Sequence, residues 1–228
     1  MNGPNNPIGW CTHTWNPVKG ICPVGCDYCY ARRIYERFSY DSTIRLDERE
    51  LYAPLKLKKP AKIFVCSTME LFGPWIPLDW LDKIFQVAAQ CEQHTFLFLS
   101  KNPGHIPQGS WKRGNWSYNR NFWFGVSVTS IEDTWRIRVL THIQQARNRF
   151  LSFEPLHGDI HFFDESDLND IDWVIIGAEI GNRKGKITPE EEWIFDIVDQ
   201  ADGWNVPVFM KDNLQPYWSG KLRQEFPK

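Results

Sequence analysis

Three of the six cysteines of this chain fall close together, in the run Gly20-Ile21-Cys22-Pro23-Val24-Gly25-Cys26-Asp27-Tyr28-Cys29-Tyr30. The spacing is C-x3-C-x2-C, with an aromatic residue directly before the last cysteine. Three thiolates are one too few for a closed tetrahedral zinc site, and they leave one corner of a four-iron cluster without a protein ligand. An iron left open can bind a small molecule, so the motif points to chemistry more than to architecture. Gly20 and Gly25 give the loop backbone freedom close to a metal. A fourth zinc ligand could come from Cys11, His13, Cys66 or Cys91, but none of these forms a second C-x2-C pair.

The rest of the composition narrows the setting. With 228 residues the chain is long enough for one substantial core, and it is read as a single domain over 1–228. Hydrophobic content of 42% and charged content of 24% suit an ordinary globular protein. No apolar run approaches a membrane span, and the first residues lack the apolar stretch of a secretion signal. A cytoplasmic location without membrane contact is therefore expected, and there clustered cysteines mean metal or catalysis more often than disulfides. A net charge of −2 argues against a protein that coats nucleic acid nonspecifically, although it allows a local basic patch.

Short apolar, β-branched or aromatic runs alternate with longer stretches of helical periodicity. Strands are expected over 8–14, 62–67, 95–100, 122–128, 149–153, 173–178 and 207–210, several of them continuously apolar as in parallel strands covered on both faces. Helices are expected over 29–38 (stripe Ala31, Ile34, Tyr35, Phe38), 79–93 (stripe Leu81, Ile84, Phe85, Ala88, Cys91), 130–143 and 189–201. Ser130 is expected to cap the third of these. Thr188 is the expected N-cap of the last, with Glu191 completing a capping box. Such alternation implies an α/β fold with right-handed crossovers, a parallel sheet, and chemistry at the C-terminal strand ends.

The cysteine triplet with its aromatic residue resembles the signature of the radical S-adenosylmethionine (SAM) superfamily, C-x3-C-x-aromatic-C. Trp15-Asn16-Pro17-Val18-x-Gly and Cys29-Tyr30-Ala31 resemble a phage-associated branch of unknown function. So do 64–72, 124–128, 152–156, 173–179 and 206–211, each placed where a strand ends. The resemblance implies a partial (β/α)6-type radical SAM barrel, with room for an extra C-terminal strand. It also implies a [4Fe–4S] cluster on Cys22, Cys26 and Cys29 whose open iron holds the amino and carboxylate groups of SAM. An electron from a donor such as flavodoxin or ferredoxin would then cleave a carbon–sulfur bond, and the resulting radical would take a hydrogen from the substrate. An expanded first spacing, with Cys11 in place of Cys22, stays open; Cys22 is favoured because it follows the first expected strand, whereas Cys11 lies inside it.

Further site residues follow from the strand ends. The resembled superfamily often carries Gly-Gly-Glu after its second strand; this chain has Ser67-Thr68-Met69-Glu70, which keeps the acid and lacks the glycines. Ser67 and Glu70 are thus expected SAM contacts, as are Tyr28 at the adenine end, Ser127 at the ribose, and Glu154 and Glu179 at ribose hydroxyls or the ammonium. Lys101 and Lys211, which end strands, and Arg183, in the run 181–187 rich in glycine and cations, are expected to meet the substrate. Residues 108–123 interleave basic and aromatic side chains, as a nucleotide or nucleic-acid site would, although packing of the tryptophans onto the barrel explains them at least as well. His94, His105, His142, His157 and His161 show no metal-ligand spacing and read as isolated residues.

The function expected is thus a radical SAM enzyme acting on an unknown substrate, with a nucleotide-like molecule as the expectation. Two alternatives stay open: a zinc-stabilised nucleic-acid-binding module without catalysis, and a deazapurine-forming radical SAM enzyme that rearranges a pterin.

Overall fold

The structure, a computed structural model, describes all residues except Asn5, 108–118, Gln145, 161–169 and Lys228. Seven parallel strands form one sheet: β1 (His13–Trp15), β4 (Lys62–Val65), β5 (Thr95–Ser100), β6 (Phe122–Ser127), β7 (Asn148–Phe153), β8 (Trp173–Ile176) and β9 (Val208–Met210). Their spatial order is their chain order, so every crossover steps the same way and the sheet curls into an open half-barrel. This is the partial barrel that the resemblance implies, with the extra C-terminal strand, seven in all. A small antiparallel pair, β2 (Val18–Lys19) with β3 (Arg45–Leu46), brackets the cysteine run.

Both faces of the sheet are apolar, which is why the strands read as continuous hydrophobic runs. On the outer face Ile63, Val65, Phe98, Phe124, Val126, Leu151, Phe153, Val174, Ile176, Val208 and Met210 pack with the helices. The alternate residues Leu97, Phe150, Trp173, Ile175 and Phe209 line the inner face, joined by Trp10 and Cys11 from the N-terminal segment. This corrects the first expected strand. Trp10 and Cys11 precede β1 and plug the half-barrel from inside, so they are apolar because of that packing and not because they sit in a strand.

The helices are α1 (Tyr30–Phe38), α2 (Glu48–Leu51), α3 (Leu78–Ala89), α4 (Trp135–Thr141) and α5 (Glu191–Gly203). In α3 the stripe Leu81, Ile84, Phe85 and Ala88 is buried as expected, while Cys91 lies just past the helix end. The helix expected to start at Ser130 begins instead as a 3-10 turn over Ile131–Asp133, and Ser130 Oγ donates to Glu132 (2.6 Å) without capping α4. Asp133 accepts from Thr129 N (3.0 Å) and Oγ1 (2.7 Å) and pairs with Arg136 (2.6 Å), which fixes this turn. The capping box at Thr188 does not form: the N-cap of α5 is Glu190, and Glu191 accepts from Ser219 N (2.8 Å). The α1 stripe is only part of the core. Ala31 is buried, but Ile34 is 40% and Phe38 55% exposed.

Candidate functional site

The C-terminal edge of the half-barrel collects the chemistry, beginning with the cysteine loop. Gly20 has φ +111°, and a side-chain carbon there would stand 2.6 Å from the Thr43 carbonyl, so only glycine lets the loop turn under β3. Several hydrogen bonds tie the loop down. Gly20 N donates to the Tyr35 hydroxyl (2.9 Å), Arg32 Nη2 to the Cys22 carbonyl (2.7 Å), and Cys29 N to the Cys26 carbonyl (3.0 Å). Cys29 is the N-cap of α1, its Sγ accepting from Arg32 N at 3.4 Å; Cys22 Sγ likewise accepts from Glu70 N at 3.4 Å.

Cys22, Cys26 and Cys29 line one cleft, together with Gly25, Arg32 and Thr68. Burial pushes the Cys22 thiol up, and the Glu70 N–H partly offsets this. Among the described residues no three His, Cys, Asp or Glu side chains converge as ligands of a single metal ion; the three thiols share the lining of the cleft. Cys11 is elsewhere, in the inner plug, and burial raises its thiol to about 12. Cys66 is also raised to about 12 by burial, and both it and Cys91 are buried packing thiols.

Every strand-end residue singled out in the sequence reaches this edge, in three groups. The first adjoins the cysteines. Glu70, 7% exposed, accepts from Phe72 N (3.0 Å), Ser100 Oγ (2.9 Å) and Lys101 N (2.7 Å), and burial raises its carboxyl. Lys101 Nζ donates to Ser127 Oγ (2.6 Å) and lies 5.5 Å from the centre of the Tyr28 ring; burial lowers its pKa, while the nearby Cys26 acts in the other direction. Burial raises the Tyr28 phenol, and Cys26 adds to the effect. Ser67 Oγ donates to Asn16 Oδ1 (3.1 Å).

The second group is Glu154, which forms an ion pair with Lys211 and accepts from Trp10 Nε1 at 3.2 Å. The third is Glu179, 3% exposed. Arg183 donates to it through Nε (2.8 Å) and Nη2 (2.9 Å), and His157 Nε2 stands 3.0 Å away. The Arg183 guanidinium holds the Glu179 carboxyl down at about 2. Tyr28 meets His157 edge-on at 5.2 Å between ring centres, which joins this group to the cysteine loop. His157, read as isolated, is therefore a member of the site, and so is Trp10. The signal for His157 was its place three residues beyond Glu154, on the same sheet edge. Residues 108–118 of the basic and aromatic segment, and His161, lie outside the described residues.

Residues 5–221 match the family described as protein of unknown function DUF5131. The chain belongs to that family. A comparison with curated proteins finds no match. Among solved structures, the chain is similar to a doubly substituted spore photoproduct lyase with bound AdoMet and dinucleoside spore photoproduct. The TM-score is 0.54 at 11% identity, and the match covers 87% of this chain and 75% of that one. At that identity the likeness establishes the fold, the partial α/β barrel described above. Among the described residues no helix is long and apolar enough to cross a membrane.

Proposed function

We propose that this chain is a radical SAM enzyme that holds a [4Fe–4S] cluster on Cys22, Cys26 and Cys29. One observation carries the reading: the three thiols line a single cleft at the C-terminal edge of a parallel half-barrel, beside the Lys101 cation and the Tyr28 ring. The bound AdoMet of the similarly folded lyase supports it. When bound, such a cluster and SAM supply one-electron cleavage and hydrogen abstraction.

The side chains of this chain bind, orient and exclude water. Lys101 stands on the cysteine side, so its ammonium suits the carboxylate of SAM better than the substrate contact expected from the sequence. Tyr28 offers a face to the adenine. Ser67 and Ser127 offer hydroxyls to polar groups of SAM. Glu154 and Glu179 pair with Lys211 and Arg183, and both pairs are assigned to the substrate in this reading. The substrate proposed is nucleotide-like, on the strength of these cations and of the dinucleoside bound by the lyase. The electron comes from a donor of the flavodoxin or ferredoxin kind.

The test is iron and sulfide analysis with electron paramagnetic resonance of anaerobically reconstituted, dithionite-reduced protein. The expected outcome is a [4Fe–4S]+ signal that changes when SAM is added. Cys26→Ala should abolish the cluster, and Cys91→Ala should leave it in place. Protein that takes up zinc and no sulfide would sink the reading in favour of a zinc-stabilised binding module.

A further inference from the structure

Glu70 occupies the position after the second sheet strand where an acid could meet SAM, yet its oxygens are already engaged. Oε1 accepts from Phe72 N and Ser100 Oγ, and Oε2 accepts from Lys101 N. The Ser100 hydroxyl itself accepts from Asn102 N (2.8 Å), which leaves its proton directed at Glu70. The main-chain N–H of Glu70 faces the other way and donates to Cys22 Sγ. One residue thus grips the cysteine loop with its backbone and the end of β5 with its side chain. From that end the Lys101 ammonium reaches back to Ser127 and the Tyr28 ring.

We propose that Glu70 is a positioning residue that sets Lys101 against the cysteine loop and does not itself contact SAM. The inference rests on the radical SAM reading for its ligand, but its geometry belongs to the chain alone. A carboxylate suits the role because three donors converge on it, and it presents acceptors only. A glutamine there would turn its own NH2 against one of those donors and release the main chain at Lys101 or Phe72. A residue that acts this way must act through Lys101, so its effect disappears once the Lys101 ammonium is gone. A residue that touches SAM directly would have an effect independent of Lys101.

The experiment compares wild type, Glu70→Gln, Lys101→Ala and the double variant in two measurements. The first is amide hydrogen exchange on the iron-free full chain. Glu70→Gln should speed exchange at Lys101 or at Phe72, whichever faces the new NH2, by about tenfold and leave Val174 in the sheet unchanged. The second is a SAM titration of the reduced, cluster-loaded protein, followed by its paramagnetic signal. Glu70→Gln should weaken SAM binding by about tenfold, and the double variant should bind no more weakly than Lys101→Ala alone. Losses that multiply in the double variant would overturn the proposal, as would unchanged exchange at both amides. A wild-type signal that ignores SAM would defeat the radical SAM reading instead, while the exchange result would still decide whether Glu70 holds the end of β5. Should Glu70→Gln fail to fold, Ser100→Ala removes one of the three donors and keeps the acid. It should shift both measurements in the same direction by a smaller factor, and no shift in either would overturn the proposal.

Discussion

Glu70 and Glu179 make an instructive pair. Each is almost fully buried, each follows a sheet strand, and each has three side-chain hydrogen bonds. Their carboxyls nevertheless shift in opposite directions, Glu70 upward and Glu179 down to about 2. The number of hydrogen bonds is the same, so it is not what decides. The donors to Glu70 are two neutral amides and a hydroxyl, and burial outweighs them. Glu179 faces the two-pronged guanidinium of Arg183, whose charge and geometry outweigh burial. The contrast extends along the edge. On the β7–β9 side each acid has its own cation, Glu154 with Lys211 and Glu179 with Arg183. On the β4–β6 side the acid is held by neutral groups, and the Lys101 ammonium meets a hydroxyl and an aromatic face. The Lys101 cation beside the cysteines is thus held by neutral groups, whereas Lys211 and Arg183 across the barrel are held by carboxylates.

The comparison can be broken by uncoupling one of the ion pairs. Glu154→Ala should have the largest effect on stability, because it strands the buried Lys211 ammonium. Breaking a buried pair from one side costs about 3 kcal/mol or more, to be read from urea unfolding at neutral pH. Replacing both partners with methionine should recover most of that loss, since neither charge is then left alone. A double variant as unstable as the single one would show that the pair matters for packing and not for charge.

The next effect is one of pH. The carboxyl of Glu179 is lowered from 4.5 to about 2 in the folded protein. A depressed acid contributes its stability fully above the unfolded value and loses it as pH falls through the folded one. Stability should therefore decline between about pH 4.5 and about pH 2 for this reason. Arg183→Gln should flatten that part of the profile, because Glu179 in the folded protein then titrates closer to its unfolded value. Denaturant unfolding across that range is the check, and an unchanged slope would mean that His157 alone holds the carboxylate.

Much of this edge was legible in the sequence, for reasons that can be named. Trp173–Ile176 and its neighbouring strands read as strands because a sheet covered on both faces needs apolar residues at every position. The polar residues after those strands gather at one edge because a parallel sheet brings all such ends to one side. The cysteine triplet is local, so its spacing carried it to a single cleft. The pairings were not legible. Glu154 and Lys211 are 57 residues apart and meet only because β7 and β9 flank β8. Glu179 and Arg183 have the spacing of a helical pair but lie in a loop, where that spacing has no fixed meaning. Trp10 and Cys11 have the composition of a strand, and nothing local shows that they fill the inside of the barrel. Thr188 carries a good capping signal, but Ser219, 28 residues beyond Glu191 in the chain, takes the acid that would complete the box.

The smallest of these effects should come from Gly177, which sits beneath the Glu154–Lys211 pair at the end of β8. Its N–H donates to the Phe153 carbonyl (3.0 Å) and its carbonyl accepts from Leu156 N (2.9 Å), so its backbone is fixed from both sides. A methyl group there would stand 2.8 Å from Lys211 Cδ and 3.2 Å from Glu154 Cγ, inside ordinary contact. The strand cannot retreat, so the side chains must, and the lysine has the more flexible stem. Gly177→Ala should therefore cost about 1 kcal/mol, within the usual range for overpacking by one methyl. The same substitution in a Lys211→Ala background should cost markedly less, because the nearest obstructing atom is gone. Equal costs in the two backgrounds would place the strain in the backbone at Gly177 and remove its link to the ion pair. Unequal costs would show that a glycine at this strand end is what lets the acid and its cation close over the barrel.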